Sequence, residues 1–240
     1  MKFLFLLGLS CPLAVAAQAT AAAPADTARY YRHHLGLTAS PVLEGFFRNN
    51  RSLPVGLLYK RQAAPHRAWR VGAVFSQTYT QRYDPQPKTN NAYSTLRYSI
   101  ETYAGVEALK PLAKHWVAFA GVDAGVGYNH YRYDQEEQRP GSINGVSVVL
   151  ADKSRTYDNT KQVFVRPLLG IRYHLLPYLY TSAETTLNIS YGLRVAEVNG
   201  ATSRTDTGEE IERGSGSYKE RFAQVYLLPI SRIGIHFLFN

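Results

Sequence analysis

Beyond one cysteine and one methionine, this 240-residue chain has no sulfur. Cys11 lies in an N-terminal stretch that reads as an export signal. Lys2 supplies the positive charge, an apolar run starts at Phe3 to Leu9 and continues to about Ala17, and Ala17-Gln18-Ala19 offers a small-residue cleavage site. Residues 1–19 are therefore expected to be a signal peptide and 20–240 the mature domain. Gly8-Leu9-Ser10 before Cys11 makes a poor lipobox, so lipid attachment is not expected. Once Cys11 leaves with the signal, a disulfide framework, a cysteine metal site and a cysteine nucleophile are all excluded.

Past the signal no run of about 18 apolar residues occurs, which excludes a helical membrane span. The composition leaves open a membrane barrel, whose strands alternate apolar and polar residues. A basic run is missing too. The net charge is +9, but Lys and Arg are scattered through the chain and the signal removes it from cytosolic nucleic acid, so no nucleic-acid partner is expected. Such side chains suit lipid phosphates instead. Tryptophan is scarce at 2, whereas 18 Tyr and 10 Phe weight the apolar content toward residues that favour strands and membrane interfaces.

Period-2 alternation runs along the whole mature chain. It is clearest from Trp116 to His130. One face carries Trp116, Ala118, Ala120, Val122, Ala124, Val126 and Tyr128, and the other Val117, Phe119, Gly121, Asp123, Gly125, Gly127 and Asn129. The apolar face is capped by an aromatic at each end. A strand of that length, at about 3.3 Å per residue and a tilt near 40°, rises roughly 30 Å, the thickness of a bilayer core. Similar alternation marks strands around Leu35–Leu37, Leu53–Tyr59, Trp69–Tyr79, Leu96–Ala108, Val163–Tyr173, Leu179–Tyr191 and Ile233–Phe239. The total of eight predicts an all-β, eight-stranded antiparallel up-and-down transmembrane β-barrel. Short turns are expected near Ala64-Pro65, Lys110–His115 and Pro177, and long loops at 41–52, 82–92, 132–160 and 192–217. With both chain ends in the periplasm, every long loop falls outside the cell.

This pattern, with the ending Ile233-Gly234-Ile235-His236-Phe237-Leu238-Phe239-Asn240, resembles the small eight-stranded outer-membrane barrels, the OmpX-like and OmpA-transmembrane-like group. It is most similar to compact outer-membrane β-barrel proteins of Bacteroidota. The resemblance implies a monomer in the bacterial outer membrane, surrounded by outer-membrane lipids and recognised by the barrel assembly machinery through its C-terminal strand. In those families the last strand ends on an aromatic, whereas here Asn240 follows Phe239.

The face expected to line the lumen carries Arg70, Arg97, Glu101, Glu107, Asp123, Arg166, Arg172, Glu184 and Arg232. Eight strands enclose only enough space for side chains, so these charges are expected to pair as a buried network instead of lining a channel. Among His33, His34, His66, His115, His130, His174 and His236 no His-x-Ser pair and no Ser-His-Asp order stands out. His33 and His34, adjacent in a strand, face opposite sides and make no metal site. No catalytic, cofactor-binding or metal-ligating residue is expected, and no cofactor. The segment Pro41–Arg48, with Leu43, Phe46 and Phe47, is expected to plug the first loop, or to touch lipid or a partner.

The function expected is that of a non-enzymatic integral outer-membrane barrel serving surface interaction or envelope integrity. Two alternatives stand beside it. A soluble, lipocalin-like barrel for an apolar ligand would turn its apolar face inward. A lipid-modifying outer-membrane enzyme would need a triad at the barrel rim.

Overall fold

The computed structural model describes residues 32–39, 55–86 and 89–240. They form β1 (His33–Ala39), β2 (Val55–Ala64), β3 (Arg67–Gln86), β4 (Thr89–Ala113), β5 (Trp116–Ile143), β6 (Val146–Leu176), β7 (Leu179–Arg204) and β8 (Glu210–Phe239). Each strand pairs antiparallel with the next, and β8 pairs back to β1, closing the barrel. The predicted all-β, eight-stranded antiparallel barrel is the fold observed. The expected signal peptide, Leu53, Pro41–Arg48 and the rest of the expected 41–52 loop lie outside the described residues.

At one end, called here the near end, Pro65-His66, Lys114-His115 and Pro177-Tyr178 connect the strands. The carbonyls of His66, His115 and Tyr178 accept hydrogen bonds from Leu109, His174 and Leu238 of the neighbouring strands, each at 2.9 Å, so the sheet continues onto its own turns. The start of β1 and the end of β8 meet here, with His33 opposite Phe239.

The far end differs from the sequence expectation. Segments 82–92, 132–160 and 192–217, expected as long loops, are largely paired strand. β3 and β4 pair out to Gln86 opposite Thr89, and β5 and β6 out to Ile143 opposite Val146. Asn144 and Gly145, both at positive φ (49° and 82°), form the two-residue turn. β7 runs to Arg204 before β8 begins at Glu210. The reason is that an antiparallel ladder in water needs no apolar face if cross-strand polar pairs hold it. Asp134 bonds Arg132 at 2.7 Å and also pairs with Arg155, Arg139 meets Asp152 at 2.5 Å, and Tyr93 stacks on Tyr133. The Arg139 guanidinium, followed by the Thr202 hydroxyl, holds the Asp152 carboxyl below the usual carboxylate range. The charged composition that suggested loops is thus the pairing chemistry of the hairpins.

β1 and β2 are short. Among the described residues, β3 beyond Phe75 and β8 before Ile233 therefore have a partner strand on one side only. β8 also carries a bulge, because Leu228 pairs with Thr186 but Arg232 with Glu184. Pro229, which has no N–H to give, falls in the bulge, where a ladder tolerates it. Thr185 Oγ1 donates to the Leu228 carbonyl at 2.8 Å and Ser231 Oγ to the Glu184 carbonyl at 2.9 Å, holding the strand on both sides of the irregularity.

Side chains divide between the two faces as period 2 requires. Leu37, Leu57, Trp69, Val71, Val126, Leu169, Val225 and Phe237 are exposed on the outward face, whereas Lys60, Arg70, Asp123 and Asn188 are fully buried inside. Glycines admit the inward rings. A Cβ at Gly72 would lie 2.3 Å from the Tyr103 ring, and one at Gly170 would lie 2.2 Å from the Phe119 ring and 2.7 Å from the Ala183 carbonyl.

This packing predicts that Gly72→Ala destabilises the barrel by about 1–3 kcal/mol through overpacking. Most of that cost should vanish in a Tyr103→Ala background. Gly214→Ala, whose Cβ would meet nothing within 4 Å, should be close to neutral. Equilibrium unfolding of the four variants measures the coupling.

Candidate functional site

The centre of the lumen is filled by charge. One ionic side chain comes from every strand between β2 and β8: Lys60, Arg70, Glu107, Asp123, Arg172, Glu184 and Arg232. Arg70 is the hub. Its Nη1 lies 3.3 Å from Glu107, its Nε 3.1 Å from Asp123 and its Nη2 3.1 Å from Glu184. The Asp123 contact is an ion pair whose alignment does not make a hydrogen bond. Glu107 also accepts from Lys60 Nζ at 2.9 Å and from Arg172. Arg232 Nη1 joins Glu184 at 2.9 Å and Asp123 at 3.4 Å. The strands bring these groups together because their charged positions share the inward parity.

Aromatic faces wall the network. Lys60 Nζ lies 4.8 Å from the centre of the Phe119 ring, and the Arg172 guanidinium lies 5.2 Å from Phe119 and 5.1 Å from Tyr180. The Arg232 guanidinium lies 4.3 Å from Tyr103. Toward the near end, Tyr180 stacks on His236 with ring centres 4.5 Å apart and meets the edge of His34, whose Nδ1 is 3.2 Å from the Tyr180 hydroxyl.

Of the nine inward charges read from sequence, Arg70, Glu107, Asp123, Arg172, Glu184 and Arg232 join this network. Arg166 and Glu101 form a separate pair at 2.7 Å on its far side, where Arg166 Nε also donates to Asn188 Oδ1 at 2.6 Å. Arg97 is exposed and lies over the Tyr131 ring at 4.8 Å. Above the Arg166–Glu101 pair a cavity of about 820 Å³ is lined by Ser76, Arg97, Asn129, Gln162, Arg194 and Gln224, among others. Arg194 donates to Asp158 at 2.7 Å in its wall. Sequence reasoning missed Lys60, although it stands next to Tyr59 at an inward position.

The histidines separate as period 2 dictates. His33 is half-buried, stacked between Tyr59 and Phe239, with Nδ1 2.7 Å from the Tyr59 hydroxyl, whereas His34 is buried in the lumen. His66 and His115 lie in the near-end turns, and His174 packs near Tyr180. His130 sits where the outward face turns polar, stacked on Tyr98 and 2.7 Å from Asn159 Oδ1. One contact was not foreseen: Ser182 Oγ and His236 Nε2 are 2.9 Å apart. Only the register that sets Ser182 opposite Gly234 reveals it. Both side chains are buried, and His236 Nδ1 has no hydrogen-bond partner among the described residues, so no carboxylate completes a triad there. Among the described residues no three His, Cys, Asp or Glu side chains converge as metal ligands.

No family model and no curated protein matches the chain. Solved structures of bacterial proteins are similar to it, among them the following three. CarO2 of Acinetobacter baumannii is 10% identical, with a TM-score of 0.36, over 87% of this chain and 99% of that one. A major outer membrane protein of Thermus thermophilus is 15% identical, with a TM-score of 0.34, over 87% and 98%. The attachment invasion locus protein Ail of Yersinia pestis is 13% identical, with a TM-score of 0.26, over 87% and 97%.

Arg70→Met should be severely destabilising. It leaves three buried carboxylates short of their shared cation, at a cost of about 3–5 kcal/mol. Arg132→Met, which breaks a partly exposed pair at the far end, should cost less than about 1 kcal/mol. Equal losses in equilibrium unfolding would contradict the hub role of Arg70.

Proposed function

We propose that the chain is a non-enzymatic integral barrel of the bacterial outer membrane. In this reading its lumen is sealed by the Arg70 network, and its far-end strands form a surface for envelope integrity or surface interaction. One observation carries the reading: the barrel is inside out relative to a water-soluble protein. Charged residues are buried at its centre, while large apolar side chains are exposed around its whole outward face. Burial of such a face in hydrocarbon is favourable, and the ring of eight strands, closed by β8 pairing with β1, satisfies the backbone on both sides of every strand through the near half of the band.

The limits of the apolar band support the same reading. Trp69, Trp116, Tyr173 and Phe239 ring the near end, and Tyr79, Tyr128 and Tyr191 ring the far side. Beyond Tyr128 the outward positions of β5 become His130, Arg132, Asp134 and Glu136. A lipocalin-like barrel would need the opposite arrangement, an apolar lumen and a polar exterior.

Lipid dependence is the test. The protein should fold in detergent or lipid vesicles, remain aggregated in plain buffer, and migrate differently on a gel with and without boiling. Ala120→Arg, on the outward face near the middle of the band, should destabilise the vesicle-inserted barrel by about 2–4 kcal/mol. In planar bilayers the sealed lumen should give no steady current. Folding in plain buffer would overturn the membrane reading, and sustained porin-like conductance would overturn the seal.

A further inference from the structure

The outward face of β5 to β8 carries a groove at the far margin of the apolar band. Strand register sets Tyr128, Lys161, Leu193 and Arg221 side by side in one row and Val126, Val163, Tyr191 and Ala223 in the row beneath. The next row down is Ala124, Val165, Ile189 and Val225. The groove, of about 540 Å³, is walled by Val126, Val163, Tyr191 and Leu193, with Lys161 and Arg221 at its upper edge. All four of these apolar walls are exposed, as are both cations.

These two cations differ from those further up the same strands. Arg132 and Arg155 are both paired with Asp134, and Lys153 with Glu136. Lys161 and Arg221 have no ion pair or hydrogen bond to another side chain among the described residues. By register the nearest outward carboxylate, Glu197, stands two rows above Leu193, and the row between carries a further cation, Lys219. Lys161 and Arg221 are two strands apart, roughly 10 Å at the usual strand spacing, with the apolar Leu193 between them. Two unneutralised cations directly above an apolar groove match one kind of molecule, an anionic amphiphile whose chain lies against the wall and whose charge meets the rim.

We infer that the groove is a binding site for an anionic, phosphate-bearing membrane lipid. The acyl chain packs along Val126, Val163, Tyr191 and Leu193, and Lys161 and Arg221 hold the phosphate by charge-assisted hydrogen bonds. Their long aliphatic stems are able to cover apolar surface while the charged heads reach the headgroup level. The inference rests on the membrane reading above, and its failure is separable from the failure of that reading.

The test uses the full mature protein folded into phosphatidylcholine vesicles that contain a minority of phosphatidylglycerol, followed by native mass spectrometry of the lipids that stay bound. Wild type should retain phosphatidylglycerol over phosphatidylcholine by roughly thirtyfold, the scale expected for two rim cations. Lys161→Gln with Arg221→Gln should abolish the preference while the gel shift of the folded barrel persists. Lys161→Arg should keep it, and so should Arg132→Gln with Arg155→Gln. Millimolar inorganic phosphate should not displace the lipid. Equal retention by wild type and the double glutamine variant would overturn the site, and displacement by inorganic phosphate would overturn the lipid as its occupant. A protein that folds only with lipid yet shows no preference refutes this site alone, whereas folding without lipid refutes the membrane reading beneath it.

Discussion

The convergence of three buried carboxylates on Arg70 is the constraint on which the rest of the barrel depends. An unpaired charge in such a place costs several kcal/mol, so each member of the network must arrive with its partners already in position. The members come from every strand between β2 and β8, which makes the network a condition on the register of the whole sheet. A slip of one residue in any of those strands would turn a charge to the outward face and an apolar side chain into the ion cluster. The alternation of the sequence and the geometry of the cluster therefore enforce each other.

Filling the lumen with charge frees the apolar residues for the exterior, which is the reverse of the arrangement in a water-soluble fold. Hydrophobic residues in this chain do little to pack an interior. Among the described residues the buried apolar clusters are small: Leu58, Tyr103 and Phe164 form one, and Leu109, Phe119 and Leu168 another. Most of the large aliphatic side chains remain on the outside, where only a hydrocarbon solvent makes their exposure favourable.

Face assignment was legible in the sequence because period 2 is a local property. Every inward charge named from Arg70 to Arg232 does face inward, and the alternation alone decided it. What alternation does not carry is the extent of a strand once both of its faces are polar. Beyond Tyr128 the outward positions stop being apolar, the contrast disappears, and 132–160 looks like a loop although it is a ladder with a tight turn. A signal for that turn was present in Asn144-Gly145, between Ile143 and Val146, a dipeptide suited to two consecutive positive-φ residues. Lys60 is hidden for the same physical reason at the other end of the barrel: it stands in the run Lys60-Arg61-Gln62, where residues of both parities are polar and alternation gives no contrast. The Ser182–His236 contact joins positions 54 residues apart and becomes visible only with the register.

The network holds four cations, Lys60, Arg70, Arg172 and Arg232, against three carboxylates, Glu107, Asp123 and Glu184, so ion pairing alone does not balance it. The faces of Phe119, Tyr103 and Tyr180 supply the remaining negative potential: each lies against one or more of these cations. Tyr103 and Phe119 in turn reach their places only because Gly72 and Gly170 on adjacent strands carry no Cβ. Charge, ring and glycine thus form a single interlocked layer, in which a methyl group added at Gly170 would displace Phe119 from both Lys60 and Arg172. The glycines of the inward face therefore belong to the electrostatics of the lumen as much as to its packing.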